Sequence, residues 1–127
     1  MKKVIALIAA ALLLAGCSSS SSANNLSVDE FSAKAAEPGV VTLDVRTPGE
    51  FAEGYIQGAR LIDFQSGNFE NEIATLDKNA TYAVYCRSGN RSGQATSIMA
   101  KNGFSSVFNL NGGVIDWTAS GQVLVTK

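Results

Sequence analysis

Cys86 follows the apolar run Thr81 to Tyr85 and precedes Arg87, Ser88, Gly89, Asn90, Arg91, Ser92 and Gly93. A thiol can serve as a metal ligand, as half of a disulfide, or as a nucleophile. The chain has one other cysteine, Cys17, and no histidine. Neither CxxC nor Cys/His zinc spacing is present, so a zinc site is excluded by ligand count. The missing histidine also leaves Cys86 without the imidazole base of Cys-His hydrolases. Chemistry that starts from a preformed thiolate fits these residues best.

The flanking residues suit that task. Gly89 and Gly93 let the chain curl, and Arg87 and Arg91 bring positive charge. The pattern predicts that Cys86 ends a buried strand and that a helix follows at once. Helix starts carry unpaired N–H groups and a positive dipole end. Such surroundings lower a cysteine pKa from ~8.5 to roughly 3.5–7.5. A shift of about two units corresponds to about 2.7 kcal/mol, within reach of a few aligned donors. The alternative is a small buried apolar cysteine, for which the curled, doubly cationic collar has no use. Arg91 is expected to face the loop interior. Arg87 is open between loop cation and solvated surface charge, and either arginine could pair with a glutamate instead.

The elements that must position this loop can be read on both sides. Ser27 with Glu30 forms a capping box, and Val28, Phe31 and Ala35 share a helical face that Pro38-Gly39 ends. "VVTLDV" reads as a strand buried on both faces. "RTPGEFAEGYIQGA" is turn-rich, with room for one helical turn at Glu50. "RLID" is a short strand, and "FENEIATL" a helix with Phe69, Ile73 and Leu76 on one side. "RSGQATSIMAKNGF" is a helix turning Ala95, Ile98 and Met99 inward and stopping at Gly103. "SVFNL" is a strand, and "GGVIDWTASG" a turn into a short helix. Alternating strands and helices predict an α/β fold around a mostly parallel sheet.

The first residues are of another kind. Met1-Lys2-Lys3 is basic, Val4 to Ala15 is apolar, and small residues lead to Cys17. These mark a secretory signal peptide. "LAGC" resembles the lipobox of bacterial lipoproteins, which implies cleavage before Cys17 and lipid on its sulfur. Stable anchoring takes several acyl chains. By the same resemblance, Ser18 implies the outer membrane, facing the periplasm, in a two-membrane bacterium. Residues 1–16 are then the signal peptide, 17–25 the lipidated cysteine and Ser-rich tether, and 26–127 the folded domain. A lipidated Cys17 leaves Cys86 as the one free thiol and rules out an internal disulfide. Taking Lys2 and Lys3 from the ten basic residues leaves eight against eleven acidic ones, a side-chain net charge of −3. No basic run remains, which argues against nucleic acid as a partner.

"CRSGNRS" resembles the active-site loop of single-domain rhodaneses, the sulfurtransferases. "TLDVRTPGEFAEGYIQGARLID" is similar to the family's Asp-Val-Arg…Glu-Phe…Gly-His-Ile…Gly-Ala block, and "NLNGGVIDW" to its Leu-x-Gly-Gly…Trp segment. The resemblance implies a rhodanese-like fold and a Cys86 that takes a sulfane sulfur as a persulfide. It implies a cradle of Arg87, Ser88, Gly89, Asn90 and Arg91 whose backbone N–H groups face that sulfur, with Ser92, which begins the next helix, as a further substrate-binding residue. Asp44, Arg46 and Glu50 read as a structural network beside the site, Gly112-Gly113 as a tight turn, and Trp117 as core. Two residues depart from the family pattern. Tyr55 stands where histidine is usual, and Leu61 puts a strand-end hydrogen bond in doubt.

Related folds with Cys-x5-Arg loops are phosphatases or arsenate reductases. Here the interval from Cys86 to Arg91 is Cys-x4-Arg, a tighter ring that suits one sulfur better than a tetrahedral phosphate. The expected reaction moves sulfur from a small anionic donor such as thiosulfate to cyanide or a thiol, without metal or organic cofactor. A low-turnover persulfide carrier is the alternative. A protein sulfur acceptor or reductant is a further expected partner, because a lone thiolate in an oxidising compartment is prone to oxidation.

Overall fold

The computed structural model describes residues 24–127. The signal segment, Cys17 and the serine tract lie outside the described residues. Ten elements follow in order: β1 (Asn24–Leu26), α1 (Val28–Ala35), β2 (Val41–Asp44), α2 (Pro48–Glu53), β3 (Arg60–Leu61), α3 (Phe69–Ile73), β4 (Thr81–Tyr85), α4 (Asn90–Lys101), β5 (Ser106–Leu110) and α5 (Gly113–Ala119). The strands form one parallel sheet in the order β1-β5-β4-β2-β3. The fold class agrees with the expectation. β4 is central, so its residues are covered on both faces, and Tyr82 through Tyr85 are all buried.

Alternation along β4 divides the core in two. Tyr82, Val84 and Cys86 point into a cluster with Phe69 and Ile73 of α3 and Ala95 and Met99 of α4. Ala83 and Tyr85 point into the opposite cluster with Val28 and Phe31 of α1 and Trp117 of α5. Trp117 is core, as expected: it meets Phe31 edge-on at 6.2 Å and donates its indole N–H to the Val123 carbonyl at 3.0 Å.

Local signals hold in most places. Ser27 and Glu30 make the expected capping box, with bonds of 2.9 and 3.2 Å. α4 ends near Gly103, whose φ of +96° suits glycine. Ile98 is half-buried rather than fully inward. The Leu61 doubt resolves favourably: Leu61 pairs in register with Asp44, and the Ile62 N–H reaches the Asp44 carbonyl at 2.9 Å.

Two features were not legible. Asn24 and Asn25, assigned to the tether, form β1 and pair with Phe108 and Asn109 of β5. Asparagine is depleted in strands, so pairing with an open sheet edge overrides the local preference. Tyr55 stacks on Phe51 at 4.2 Å, and its backbone exchanges two hydrogen bonds with Val125, at 2.9 and 2.8 Å. The C-terminal segment is thereby fastened over α2.

Candidate active site

Cys86 sits one residue past β4, at the carboxyl end of the sheet, where ligand sites of such folds lie. Its carbonyl accepts from the Val114 N–H at 3.0 Å, and the Arg87 carbonyl accepts from Ile115 at 3.1 Å. Val114 and Ile115 lie in the first turn of α5, where N–H groups lack helical partners. The start of α5 therefore holds the loop's carbonyls, and the loop's own N–H groups are left to face the sulfur.

They do so. Gly89 N–H lies 3.1 Å from Sγ, and Ser92 N–H and Ser92 Oγ each lie 3.3 Å away. Gly89, just before α4, adopts φ +100°, and a Cβ there would stand 3.0 Å from the Gly112 nitrogen. The left-handed φ favours glycine, and the close approach to Gly112 leaves little room for a side chain. Burial is the largest single influence on the thiol and raises its pKa. The Ser92 hydroxyl and the N–H groups of Ser92, Gly89 and Ser88 outweigh it together, and the net direction is below the ordinary thiol value. The largest lowering contributions are neutral hydrogen-bond donors rather than the arginines.

Arg91 departs from the expectation, while Arg87 takes the exposed one of its two open readings. Arg91 does not turn into the ring. It makes a two-pronged pair with Glu50, Nη1 to Oε1 at 2.8 Å and Nη2 to Oε2 at 2.9 Å, and a weaker contact to Gln65 Oε1 at 3.3 Å. A planar guanidinium matches a carboxylate in this geometry, and a loop already lined with N–H donors does not need the charge. Arg87 is exposed and borders a cleft of about 290 Å³ with Glu50, Glu53, Ile115 and Leu124. Its guanidinium has no hydrogen bond or ion pair with another described residue. Asn90 also faces outward and accepts from Gln94 at 2.7 Å. Gly89 and Ser92 thus meet the sulfur, while the side chains of Arg87, Asn90 and Arg91 form the outer rim.

The expected network of Asp44, Arg46 and Glu50 consists of two pairs. Asp44 and Arg46 are buried together at 2.6 Å, and Arg46 also reaches the Gly54 carbonyl at 2.7 Å. Glu50 instead serves the loop through Arg91, while accepting from the Thr47 N–H and hydroxyl at 3.2 and 3.0 Å. These contacts hold its carboxyl down at about 2, the Arg91 hydrogen bond being the main cause. A depressed carboxyl contributes stability above its unfolded pKa and loses it as pH falls toward the folded one. Glu50→Gln is therefore expected to lower stability at pH 7 by about 1 kcal/mol, the scale of a well-formed, partly exposed pair. The gap to wild type should close between about pH 5 and pH 2, as read by denaturant melts across that window.

Tyr85 was not singled out from sequence. Its hydroxyl accepts from the Ile56 N–H at 2.9 Å, and its ring lies under the Arg46 guanidinium at 5.6 Å. Burial, followed by the nearby Asp44, raises its pKa strongly, so it stays neutral. Its place in a buried strand was readable, but its partner 29 residues away was not.

No group of three or more potential metal-ligating side chains occurs among the described residues. A parallel α/β sheet with one covered thiol at its carboxyl end, ringed by N–H donors, defines a small domain built around a stabilised cysteine. Residues 27–120 match the family model described as "Rhodanese-like domain", and the chain belongs to that family. It is similar to a sulfurtransferase of Allochromatium vinosum, 35% identical over 86 residues covering 68% of this chain and 78% of the relative. It is similar also to the thiosulfate sulfurtransferase GlpE of Pseudomonas aeruginosa, 40% identical over 81 residues covering 64% and 72%. Among solved structures, a rhodanese-like domain protein from Staphylococcus aureus aligns with TM-score 0.70 and 30% identity over 82% of this chain and 98% of that one.

Proposed function

We propose that this chain is a sulfurtransferase that carries sulfane sulfur on Cys86. The observation that bears most weight is the ring of Gly89 and Ser92 donors, 3.1–3.3 Å from Sγ. Membership of the rhodanese-like family and relatives named as sulfurtransferases support sulfur transfer in general. The ring stabilises negative sulfur without a base, and neither step needs a proton moved. The Cys86 thiolate attacks the outer sulfur of thiosulfate, the donor's S–S bond breaks, and sulfite leaves with the electron pair. A nucleophile such as cyanide or a thiolate then takes the outer sulfur, and the pair returns to Cys86. Arg87 at the rim draws the anionic donor in. Cys86 has no exposed surface, so loading requires a local opening of the loop. The same coverage favours a second reading, a persulfide carrier with slow turnover.

Incubation with thiosulfate and cyanide should yield thiocyanate, with no phosphatase or arsenate reductase activity in parallel assays. Persulfide on Cys86 without steady-state thiocyanate selects the carrier. Hydrolysis of a phosphoester without sulfur uptake refutes both.

The proposed location is the cell envelope, with lipid on Cys17 and the domain in the periplasm of a two-membrane bacterium. The lipobox-like "LAGC" supports this. Cys17→Ala is expected to release the protein from the membrane fraction, and retention there would refute the anchor.

A further inference from the structure

We infer that the Ser92 hydroxyl acts on the two halves of the transfer in opposite senses, restraining the loading of Cys86 and speeding its discharge. This rests on the sulfur-transfer reading above. Ser92 is fully buried, and its Oγ lies 3.3 Å from Cys86 Sγ. That is the only hydrogen bond its hydroxyl makes among the described residues. Buried hydroxyls ordinarily have a partner, and here the partner is the reacting atom itself. The Ser92 backbone is held separately: its N–H also meets Sγ at 3.3 Å, and its carbonyl accepts from the Thr96 hydroxyl at 2.9 Å.

The direction follows from where charge resides. In loading, the bond from Sγ to the donor's outer sulfur forms, the donor's S–S bond breaks, and sulfite departs with the electron pair. Negative charge leaves Sγ, so a donor aimed at Sγ stabilises the starting thiolate more than the transition state. In discharge, the acceptor bonds to the outer sulfur, the bond between that sulfur and Sγ breaks, and the pair returns to Sγ. Charge then grows beside the hydroxyl. A hydrogen bond to an ionised acceptor is roughly twice as strong as a neutral one, and only a difference between ground and transition states changes a rate. Thiol exchange has the same asymmetry, since a lower pKa weakens a thiolate as attacker and improves it as leaving group. The Gly89 and Ser92 N–H groups act in the same sense, but a side-chain substitution cannot delete them. Ser92 is the position where one donor can be removed and the rest kept.

The test is Ser92→Ala, with Ser92→Gly as a second variant lacking the hydroxyl. Each half-reaction is followed in a single turnover at a pH where Cys86 is fully ionised, and iodoacetamide alkylation across pH gives the thiol pKa of each protein. Loading from thiosulfate should rise by about threefold for each unit the thiol pKa rises, from the ~0.4–0.5 Brønsted slope of thiolate attack. Discharge of the isolated persulfide to cyanide should fall by a similar factor or more, and persulfide should accumulate during turnover. Both half-reactions moving in one direction, or neither moving, would overturn the inference. If wild-type protein gains no sulfur from thiosulfate by mass spectrometry, the sulfur-transfer reading itself fails, and that outcome is separately visible.

Discussion

Cys86→Ser should melt within a few degrees of wild type, take up no sulfur from thiosulfate, and form thiocyanate at least about a thousandfold more slowly. The size follows from the role, since removal of a covalent nucleophile leaves only binding and orientation behind. Folding should survive because serine is smaller than cysteine and its hydroxyl can accept from the same donors. The Gly89 and Ser92 N–H groups then keep an acceptor. Thiocyanate formation and intact mass after thiosulfate treatment give the two readings. Appreciable turnover by the serine variant would show that another group carries the sulfur.

Gly113→Ala should have the largest effect on stability, a loss of about 2–4 kcal/mol, combining the cost of a left-handed non-glycine residue with overpacking. Gly113 adopts φ +59°. A Cβ there would collide with the Arg87 carbonyl group and stand 2.6 Å from the Cys86 carbonyl oxygen. Those are the carbonyls that the Val114 and Ile115 N–H groups hold. The methyl group would push the loop away from α5 and tilt the ring of donors off the sulfur. In a domain of this size, such a loss lowers Tm by roughly 10 °C or more. Transfer should fall by about a hundredfold, the scale of a 1 Å misplacement of reacting groups. Gly121→Ala is the control, because Gly121 has φ +94° but nothing within 4 Å of its Cβ position. It should cost about 1–2 kcal/mol, the left-handed strain alone. Equal losses at the two glycines would show that Gly113 does not brace the loop.

Much of the frame was legible because its signals are local. Ser27 and Glu30 are three residues apart and satisfy each other. The apolar run to Tyr85, broken by a polar, glycine-rich turn, marks a buried strand and places Cys86 at its end. Trp117 was readable as core from its place in the family-like "NLNGGVIDW" segment. β1 was not readable, because Asn24 and Asn25 owe their strand conformation to β5, more than eighty residues away. Nor was the fate of Arg91 decided by its neighbours. Its carboxylate partner, Glu50, is 41 residues distant and carried by another helix.

Residue order and type alone place one cysteine at a strand end, without a base, in a loop of four residues before an arginine. These are statements about order and type, and the chain carries them directly. Which groups face that sulfur is set by packing between elements far apart in the chain. The arginine expected there is claimed by Glu50, and Ser92, expected among the binding residues without a stated contact, sets its hydroxyl against Sγ. The reason is directional. Hydrogen bonds act over about 3 Å and depend on angle, so a donor's role is set by where packing aims it. α5 turns the loop's carbonyls outward and α2 draws Arg91 aside, and neither helix adjoins the loop in the sequence.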